Sequence, residues 1–479
     1  MKKIGFVSLG CPKNLVDTEV MLGQLTRAGY EPTAEPAEAD VLVVNTCGFI
    51  DRAKKESIDT ILEMARYKRE GRCRRLVVSG CLAQRYGDEI AREIPEVDAV
   101  MGLDQLESIV SVAEAEDRKI ASLVADGSVV YLYDHLVPRV ITTPRPYAYL
   151  KISEGCDYPC TFCIIPKIRG HYRSRAPESI LAEAESLVQQ GVKELILIAQ
   201  DTTRYGMEIK DGPSLAQLLR GLARVDGVEW VRFLYAYPTT VNEKVLEVMA
   251  SEPRVCLYLD IPLQHASDRI LKAMKRPGTR ASNERLIEKI RQAVPGVWLR
   301  SSFIVGFPGE TSADFEELMS FCREMEFDHL GVFTYSNEET TDAFVATEAI
   351  SAAEKRRRRH LLMRQQTAVS LERNGRRVGS LERVLVEGLS SETDFLLRGR
   401  TEGQAPEIDG GVLINEGNAE PGSFVTVEVT EAHPYDLVGR IVAEPVGAGA
   451  SREALHGATD SNDTPLAELG LDLCRWLRL

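Results

Sequence analysis

Short apolar runs alternate with helical patterns over the first 139 residues of the chain. The helical patterns, such as residues 16–29 and 52–68, place apolar side chains three and four positions apart. Continuous apolar runs separated by helices are typical of parallel strands that are covered on both faces. The pattern therefore predicts a parallel α/β domain over residues 1–139, with strands at residues 4–9, 41–44, 76–78 and 99–101.

A second series of strands and helices follows a proline-containing linker at residues 137–146 and extends to about residue 370. Six strand–helix units are typical of an incomplete (β/α)6 barrel of the TIM type, in which reactive groups follow the carboxyl ends of the strands. We predict this barrel over residues 140–370, with strands at residues 148–152, 195–199, 231–235, 257–261, 299–305 and 331–334.

The pattern changes again near residue 371, where strands continue without intervening helices. These strands are short, rich in β-branched residues and joined by glycine-containing turns, which predicts a small antiparallel β-barrel over residues 371–443. Residues 444–479 begin as a Gly, Ala, Ser and Asp segment and end at 466–479 with helical apolar spacing. We expect this last segment to be a flexible, dispensable tail.

Composition limits the classes of protein that fit this domain order. The chain has 479 residues, with 58 Lys and Arg against 72 Asp and Glu, and a net charge of −14, which argues against a surface devoted to nucleic-acid phosphates. No apolar stretch reaches the about 18 residues of a spanning helix, and the run at residues 4–9 is shorter than a signal-peptide core. We expect a cytoplasmic protein with no membrane partner, whose ten cysteines are reduced, metal-bound or inert.

Three cysteines lie directly after the first predicted strand of the middle domain. Cys156, Cys160 and Cys163 form a C-x3-C-x2-C pattern. Iron–sulfur clusters are held by cysteine thiolates, and three thiolates on a four-iron cluster leave one iron open to a substrate or cofactor. Structural zinc would need a fourth ligand, usually from a second cysteine pair, and no such pair lies nearby. The pattern therefore predicts a [4Fe-4S] site.

The N-terminal domain contains a second, more dispersed set. Cys11, Cys47 and Cys81 each follow an apolar strand after a few small residues, and the carboxyl ends of parallel strands share one edge of a sheet. Spacing alone would favour structural cysteines, but the repeated context favours a second three-thiolate cluster with an open iron. The remaining cysteines have no shared pattern and are interpreted as structural: Cys73, Cys256, Cys322 and Cys474.

The middle motif, with Phe162 just before its last cysteine, resembles that of the radical S-adenosylmethionine superfamily. Together with the second cysteine set and the C-terminal barrel, the chain resembles the methylthiotransferase family over residues 1–443. Members of that family have an N-terminal domain with an auxiliary [4Fe-4S] cluster, a radical S-adenosylmethionine barrel and a C-terminal TRAM domain. Its segments at residues 7–17, 164–175 and 404–410 are similar to the branch that methylthiolates the β-carbon of an aspartate in ribosomal protein uS12.

The resemblance implies a use for both clusters. One S-adenosylmethionine molecule supplies a methyl group to a sulfur held at the open iron of the first cluster. A second is cleaved at the other cluster to a radical that takes the substrate hydrogen. Both open irons must then face one cavity between the first domain and the top of the barrel. An electron donor such as flavodoxin or ferredoxin, and a sulfur donor, are the further partners implied.

Cofactor contacts outside the cysteines are predicted from strand ends. Gln200 and Asp201 follow the second barrel strand, where they could bind the amino acid end of S-adenosylmethionine. Ile304 and Gly306 lie in a segment that resembles the superfamily's adenine-contacting segment, although its Gly-Phe-Pro-Gly sequence is equally typical of a simple turn. No acid–base or nucleophilic residue is predicted, because the clusters carry the chemistry.

Charge separates the possible substrates. The predicted β-barrel over residues 371–443 has 7 Lys and Arg against 13 Asp and Glu, which suits a basic protein better than tRNA phosphates. An acidic surface that only keeps the protein soluble stays open as an alternative, as does the tRNA-modifying branch, which typically has Gln-Met-Asn where this chain has Pro12, Lys13 and Asn14. The basic run at residues 355–359 is interpreted as a solvated helix face, with contact to RNA as the alternative.

Overall fold

A computed structural model of the chain describes residues 1–115, 120–124, 129–345 and 350–443. The predicted tail at residues 444–479, and Cys474 with it, lies outside these ranges. None of the helices within them is long and apolar enough to cross a membrane.

The N-terminal unit is a six-stranded parallel sheet in the order β2-β1-β3-β4-β5-β6. Its strands are β1 (Lys3–Ser8), β2 (Glu31–Pro32), β3 (Val41–Thr46), β4 (Arg75–Gly80), β5 (Ala99–Met101) and β6 (Ile120–Leu123). Its helices are α1 (Pro12–Arg27), α2 (Asp51–Ala65), α3 (Tyr67–Glu70), α4 (Cys81–Glu93) and α5 (Ile109–Glu114). Every residue of β3 and β4 is buried, as expected for central strands with helices on both faces.

The middle unit is an open barrel of six parallel strands. They form two three-stranded sheets, β11-β10-β7 and β12-β13-β14, joined by a bridge between Val231 and Val255. The strands are β7 (Tyr147–Lys151), β10 (Glu194–Ile198), β11 (Trp230–Phe233), β12 (Tyr258–Asp260), β13 (Trp298–Val305) and β14 (His329–Thr334), with a small ribbon of β8 (Ser153–Glu154) and β9 (Arg173–Ser174). The helices are α6 (Ile165–Arg169), α7 (Pro177–Gln189), α8 (Leu215–Ala223), α9 (Glu243–Ser251), α10 (Asp268–Ala273), α11 (Arg280–Ala293) and α12 (Ser312–Met325).

The inner face of the open barrel is covered by the two flanking units. Alternate residues of the barrel strands point outward to the helices, as Ala148 and Leu150 do. Their neighbours Tyr147 and Tyr149 point inward, where they join a cluster with Val16 of α1 and Ala405 of the C-terminal unit. The three units therefore share a core.

The C-terminal unit follows the long helix α13 (Ala352–Gly375) and is a closed barrel in the order β15-β16-β17-β19-β18. Its strands are β15 (Leu381–Leu389), β16 (Leu397–Thr401), β17 (Val412–Glu416), β18 (Phe424–Ala432) and β19 (Leu437–Ala443). Four neighbouring pairs are antiparallel, as predicted, whereas β17 and β19 are parallel. The exception is geometric, because an odd number of strands in a ring cannot alternate in direction throughout.

The basic run at the start of α13 differs from its prediction as a solvated face. Lys355 and Arg358 are both 5% exposed. The Lys355 ammonium donates to the Tyr335 carbonyl oxygen at 3.1 Å, and Arg358 forms an ion pair with Glu310 at 2.6 Å. The prediction was wrong for these two residues because a run of like charges does not reveal which of its members face a neighbouring strand.

A buried carboxylate joins the open barrel to the C-terminal unit. Glu194, the first residue of β10, accepts from Arg232 at 2.7 Å and from Arg400 of β16 at 2.6 Å, and all three side chains are nearly inaccessible to water. Burial alone would raise the pKa of Glu194, but Arg400 and Arg232 outweigh it and lower that pKa below 4.5. The interface therefore depends on an ionised carboxylate.

Glu194→Gln should lower the free energy of unfolding by about 3–5 kcal/mol at neutral pH, because it removes the carboxylate that two buried guanidinium groups share. A depressed folded-state pKa contributes stability that is complete above the unfolded-state pKa and is lost as pH falls through the folded-state pKa. The difference in free energy of unfolding between Glu194→Gln and the wild type should therefore become smaller below about pH 4.5. Urea unfolding at neutral pH and below about pH 4.5 measures this difference. Glu243→Gln, at an exposed pair with Lys289, should leave the urea midpoint unchanged.

Candidate active site

The three N-terminal cysteines lie at one edge of the parallel sheet. Cys47 and Cys81 directly follow β3 and β4, and Cys11 follows β1 by three residues. These strands are neighbours in the sheet, so their carboxyl ends bring the three thiols together. Burial raises the pKa of the Cys47 thiol to about 12, with the charges of Cys81 and Cys11 as the next causes. These charges act on Cys47 because the three cysteines lie at one edge of the sheet.

Glycines allow this close approach. Gly10 has a φ of +95°, and a Cβ placed on it would lie 2.8 Å from the Cys47 Cβ. Asn14 closes the same edge, since its side-chain amide donates to the carbonyl oxygens of Leu9 at 2.7 Å and of Thr46 at 3.2 Å. The strand ends therefore form a compact cradle for a group bound by the thiols.

Gly10→Ala should destabilise this cradle and reduce the iron bound by the N-terminal unit. A left-handed conformation costs a residue with a Cβ roughly 1–2 kcal/mol, and here the clash with Cys47 adds to that cost. Gly29→Ala is a matched control, because Gly29 has a φ of +92° but its added Cβ would meet nothing within 4 Å. Iron content after reconstitution and urea unfolding measure both effects. Equal behaviour of the two variants would contradict the role given to Gly10.

The second cysteine set lies in the loop between β8 and α6. Cys156, Cys160 and Cys163 are free, half-buried thiols. Burial raises the pKa of Cys156 to about 11 and of Cys163 to about 12, so without a bound cation these thiols stay protonated near neutral pH. Iron would replace their protons, because a thiolate is the ligand form.

Aromatic and cationic groups surround this loop. Tyr158 stacks on Tyr237 with ring centroids 3.7 Å apart, and the guanidinium of Arg276 lies 4.1 Å from the centroid of the Tyr237 ring. One guanidinium nitrogen of Arg276 is 3.9 Å from the Cys160 Sγ. This positive charge beside the loop favours a thiolate cluster, whose net charge is negative.

The donor sets suit a four-iron cluster, because each set offers three free cysteine thiols and thiolates are the ligands of such clusters. In a four-iron cluster each thiolate binds a different iron, which keeps the sulfur atoms further apart. Three cysteines in each set, with glycines that leave room between strand ends, fit such a group.

A buried charged network lies between the N-terminal cysteine set and the helix that follows the second set. Arg169 ends α6, six residues after Cys163, and its guanidinium donates to the Cys81 Sγ at 3.4 Å. The same guanidinium binds Glu154 at 2.7 Å and Asp17 at 3.2 Å. Lys151 pairs with the same two carboxylates, at 2.9 Å and 2.5 Å. The edges that carry the two cysteine sets therefore face each other across the junction of the first two units.

Sequence reasoning missed this network, although one signal was available. Lys151 ends the buried strand β7, where a charged side chain requires a partner. That signal could have identified Lys151 as a functional or interface residue. It could not have identified Asp17, because this residue comes from a helix 134 positions earlier in the chain.

Gln200 and Asp201 lie at the predicted strand end, but they differ in whether a side-chain oxygen is left to bind a ligand. Gln200 donates to Glu154 at 2.6 Å, while its buried Oε1 has no hydrogen-bond partner among the described residues and can accept from a ligand ammonium. The Asp201 carboxylate already accepts from Tyr158 at 2.7 Å and from Thr203 at 2.7 Å. Of the two predicted contacts, Gln200 therefore has the free acceptor, whereas Asp201 positions the side chain of Tyr158.

Phe162 and Ile304 pack against the same buried cluster, and their predicted contact with the cofactor stays a prediction. This cluster contains Phe307 and Tyr335. Gly306 has a φ of +77°, and a Cβ placed on it would lie 2.4 Å from the Cγ of Lys355. Space beside Gly306 is thus used by α13, and the predicted adenine contact of this glycine stays a prediction.

Comparison with known proteins agrees with the order of the three units. Residues 3–102 match the family described as Uncharacterized protein family UPF0004, residues 150–322 match the Radical SAM superfamily, and residues 378–442 match the TRAM domain. Each match lies inside one predicted domain, and the boundaries between the domains stay predictions.

Curated relatives match nearly the whole described chain. Ribosomal protein uS12 methylthiotransferase RimO of Solibacter usitatus is 51% identical over 448 residues, which cover 92% of this chain and 95% of the relative. RimO of Trichlorobacter lovleyi is 48% identical over 443 residues, which cover 92% of this chain and 99% of the relative. The chain belongs to the RimO family. The family resemblance expected from the motifs is confirmed.

RimO family membership establishes the class of enzyme. The protein is a transferase of the radical S-adenosylmethionine type, with a [4Fe-4S] cluster and S-adenosylmethionine as the cofactors of that class. A solved structure of TsrM from Kitasatospora setae, a radical S-adenosylmethionine methyltransferase, has the same fold, with a TM-score of 0.51 and 15% identity over 80% of this chain and 81% of TsrM. The predicted fold class is confirmed.

Proposed function

We propose that this protein adds a methylthio group to the β-carbon of an aspartate in ribosomal protein uS12. The observation that carries the proposal is the pair of three-cysteine sets on facing edges. Arg169, the last residue of α6, links these edges through its contact with Cys81. The names of the relatives, uS12 methylthiotransferases that match 92% of the chain, support the substrate. A ribosomal substrate also supports a cytoplasmic location.

Each cysteine set would hold one cluster. Cys156, Cys160 and Cys163 would hold the cluster that binds S-adenosylmethionine, and the auxiliary cluster would be held by Cys11, Cys47 and Cys81. The two clusters would supply the radical and sulfur-transfer chemistry when bound, with two S-adenosylmethionine molecules used per product. The two donor sets support this division, because each leaves one iron without a protein ligand.

The protein's own residues would orient the cofactor and exclude water. The free Oε1 of Gln200 would accept from the cofactor's ammonium, while Glu154 fixes the Gln200 amide at 2.6 Å. Phe162 and Ile304 would provide an apolar wall. Apolar walls protect a reactive radical from side reactions.

The acidic C-terminal barrel would meet the basic substrate. Its 7 Lys and Arg against 13 Asp and Glu favour a positively charged protein over tRNA. A reduced flavodoxin or ferredoxin would supply electrons, and a separate donor would supply sulfur.

Mass spectrometry of purified uS12 and of tRNA, each incubated with reconstituted enzyme, reductant, sulfide and S-adenosylmethionine, tests the proposal. We expect a gain of about 46 Da on uS12, the mass difference between methylthio and hydrogen, mapped to one aspartate, together with 5′-deoxyadenosine. Modification of tRNA alone would contradict the substrate. The absence of 5′-deoxyadenosine from enzyme that carries both clusters would contradict the reaction class.

A further inference from the structure

Lys13 is a buried cation between the two cysteine-bearing edges. It is the second residue of α1, two positions after Cys11, and only 8% of it is exposed. Its ammonium nitrogen crosses to the open barrel, where it lies 3.3 Å from the Ala199 carbonyl oxygen and 3.4 Å from the centroid of the Tyr235 ring. Ala199 directly follows β10, and Tyr235 lies two residues after the end of β11. The Lys13 ammonium therefore lies at the carboxyl ends of two barrel strands.

No carboxylate of the described chain pairs with this ammonium. Within those ranges the Lys13 nitrogen has no Asp or Glu oxygen within 4 Å. The acidic groups nearest in the network already have cations of their own, since Asp17 and Glu154 pair with Lys151 and Arg169. Asp260 likewise accepts from Arg300 at 3.0 Å.

Burial of an ammonium with one carbonyl oxygen and one ring face is costly unless an anion completes its surroundings. The fold nevertheless holds this arrangement in place. Tyr235 adopts a φ of +64°, which is unfavourable for an aromatic residue, and its backbone N–H donates to Asp260 at 3.2 Å. Strain of this kind is typical of a binding site, where surrounding contacts enforce a conformation for the sake of a ligand.

We propose that Lys13 binds the side-chain carboxylate of the substrate aspartate and so determines the preference of the enzyme for that residue. The inference rests on the proposed function, which places an aspartate in the space between the two edges. The carboxylate carbon of aspartate is bonded directly to the β-carbon. An ion pair with Lys13 therefore holds the reacting carbon one bond away from a fixed point, and asparagine, which lacks the negative charge, loses that attraction.

The test compares binding of two forms of uS12 to enzyme that carries both clusters and S-adenosylmethionine, without reductant, so that no turnover occurs. One form has the aspartate that becomes modified, and the other has asparagine there. Wild-type enzyme should bind the aspartate form about tenfold or more tightly, the range for a hydrogen bond to a charged partner. Lys13→Met should bring the two affinities within about twofold. Lys13→Arg should retain part of the preference, because the charge remains.

Two controls distinguish an effect of Lys13 from a general loss of positive charge and from a loss of the clusters. Lys55→Met removes an exposed lysine from α2 and should retain the full preference for aspartate. Iron content and the electron paramagnetic resonance spectrum of the reduced protein verify that each variant holds both clusters, and Lys13→Gln provides the same comparison if Lys13→Met binds less iron.

The results distinguish the proposed role of Lys13 from the proposed modification of uS12. Preference for aspartate that survives in Lys13→Met, with a changed spectrum or midpoint potential of the N-terminal cluster, would show that Lys13 serves the cluster and would overturn the inference. Equal binding of both uS12 forms by the wild-type enzyme would overturn it too. Failure of wild-type enzyme to modify uS12 would instead refute the proposed function, and that result needs no variant.

Discussion

Alanine at Cys81 should abolish methylthio transfer to uS12 while 5′-deoxyadenosine still forms, whereas alanine at Cys163 should abolish both products. The two cysteines belong to different sets, on α4 and before α6. Under the proposed function, cleavage of S-adenosylmethionine would need only the set at residues 156–163, while the sulfur transfer would need both sets. We expect methylthio transfer to fall by more than about 100-fold in each variant, because loss of a group that merely orients a metal ligand already costs about 10- to 100-fold.

Liquid chromatography of 5′-deoxyadenosine and mass spectrometry of uS12, measured on the same reaction, distinguish the two variants. Cys73→Ala is the matched control, since Cys73 is also a buried cysteine of the N-terminal unit, at 4% exposure, but its thiol donates to the Arg75 carbonyl oxygen at 3.3 Å. It should retain both products. If Cys81→Ala formed methylthiolated uS12 at the wild-type rate, the N-terminal set would not hold a required cluster.

Methionine at Arg169 should lower the free energy of unfolding by about 3–5 kcal/mol, the usual cost of removing one partner from a buried ion pair. Arg169 is 2% exposed and shares Asp17 and Glu154 with Lys151. Burial opposes ionisation of Glu154, but Arg169 and Lys151 outweigh it and lower its pKa. Without the guanidinium, two buried carboxylates would share one ammonium.

Urea unfolding measures this loss, and a double variant tests its cause. Arg169→Met combined with Asp17→Asn restores the balance of charge, so it should be more stable than Arg169→Met alone. Arg92→Met removes an exposed arginine that pairs with exposed Glu93 and should not shift the urea midpoint. A double variant no more stable than the single one would mean that lost packing, rather than uncompensated charge, explains the effect.

Much of the fold could be predicted because the strands of this protein are continuous apolar runs. The runs at residues 41–44 and 76–78 lie within β3 and β4, and the six barrel strands lie where the pattern places them. The cysteine sets could be predicted for the same reason, since each cysteine follows a recognisable strand. Local periodicity is enough where burial alone decides the conformation.

Other parts of the site could not be predicted, because they depend on contacts between distant segments. Arg169 appears in the sequence as one basic residue of a short helix, yet it contacts Cys81, which lies 88 positions away. Asp201 appears as a strand-end carboxylate, yet it is used by Tyr158 and Thr203. Lys355 appears as part of a charged run, yet it is buried against the barrel. Side-chain partners of this kind are decided by packing geometry.

The amino-acid sequence by itself determined three units, their classes and the six cysteines that could bind iron, because strand periodicity and cysteine spacing are local properties. Only the tertiary structure decided that the two cysteine-bearing edges face each other and that Arg169 lies between them. It also decided that Lys13 is buried there with no carboxylate partner in the described part of the chain. The reason is physical. The energy of a buried charge depends on which groups surround it in space, and those groups come from helices and strands far apart in the chain.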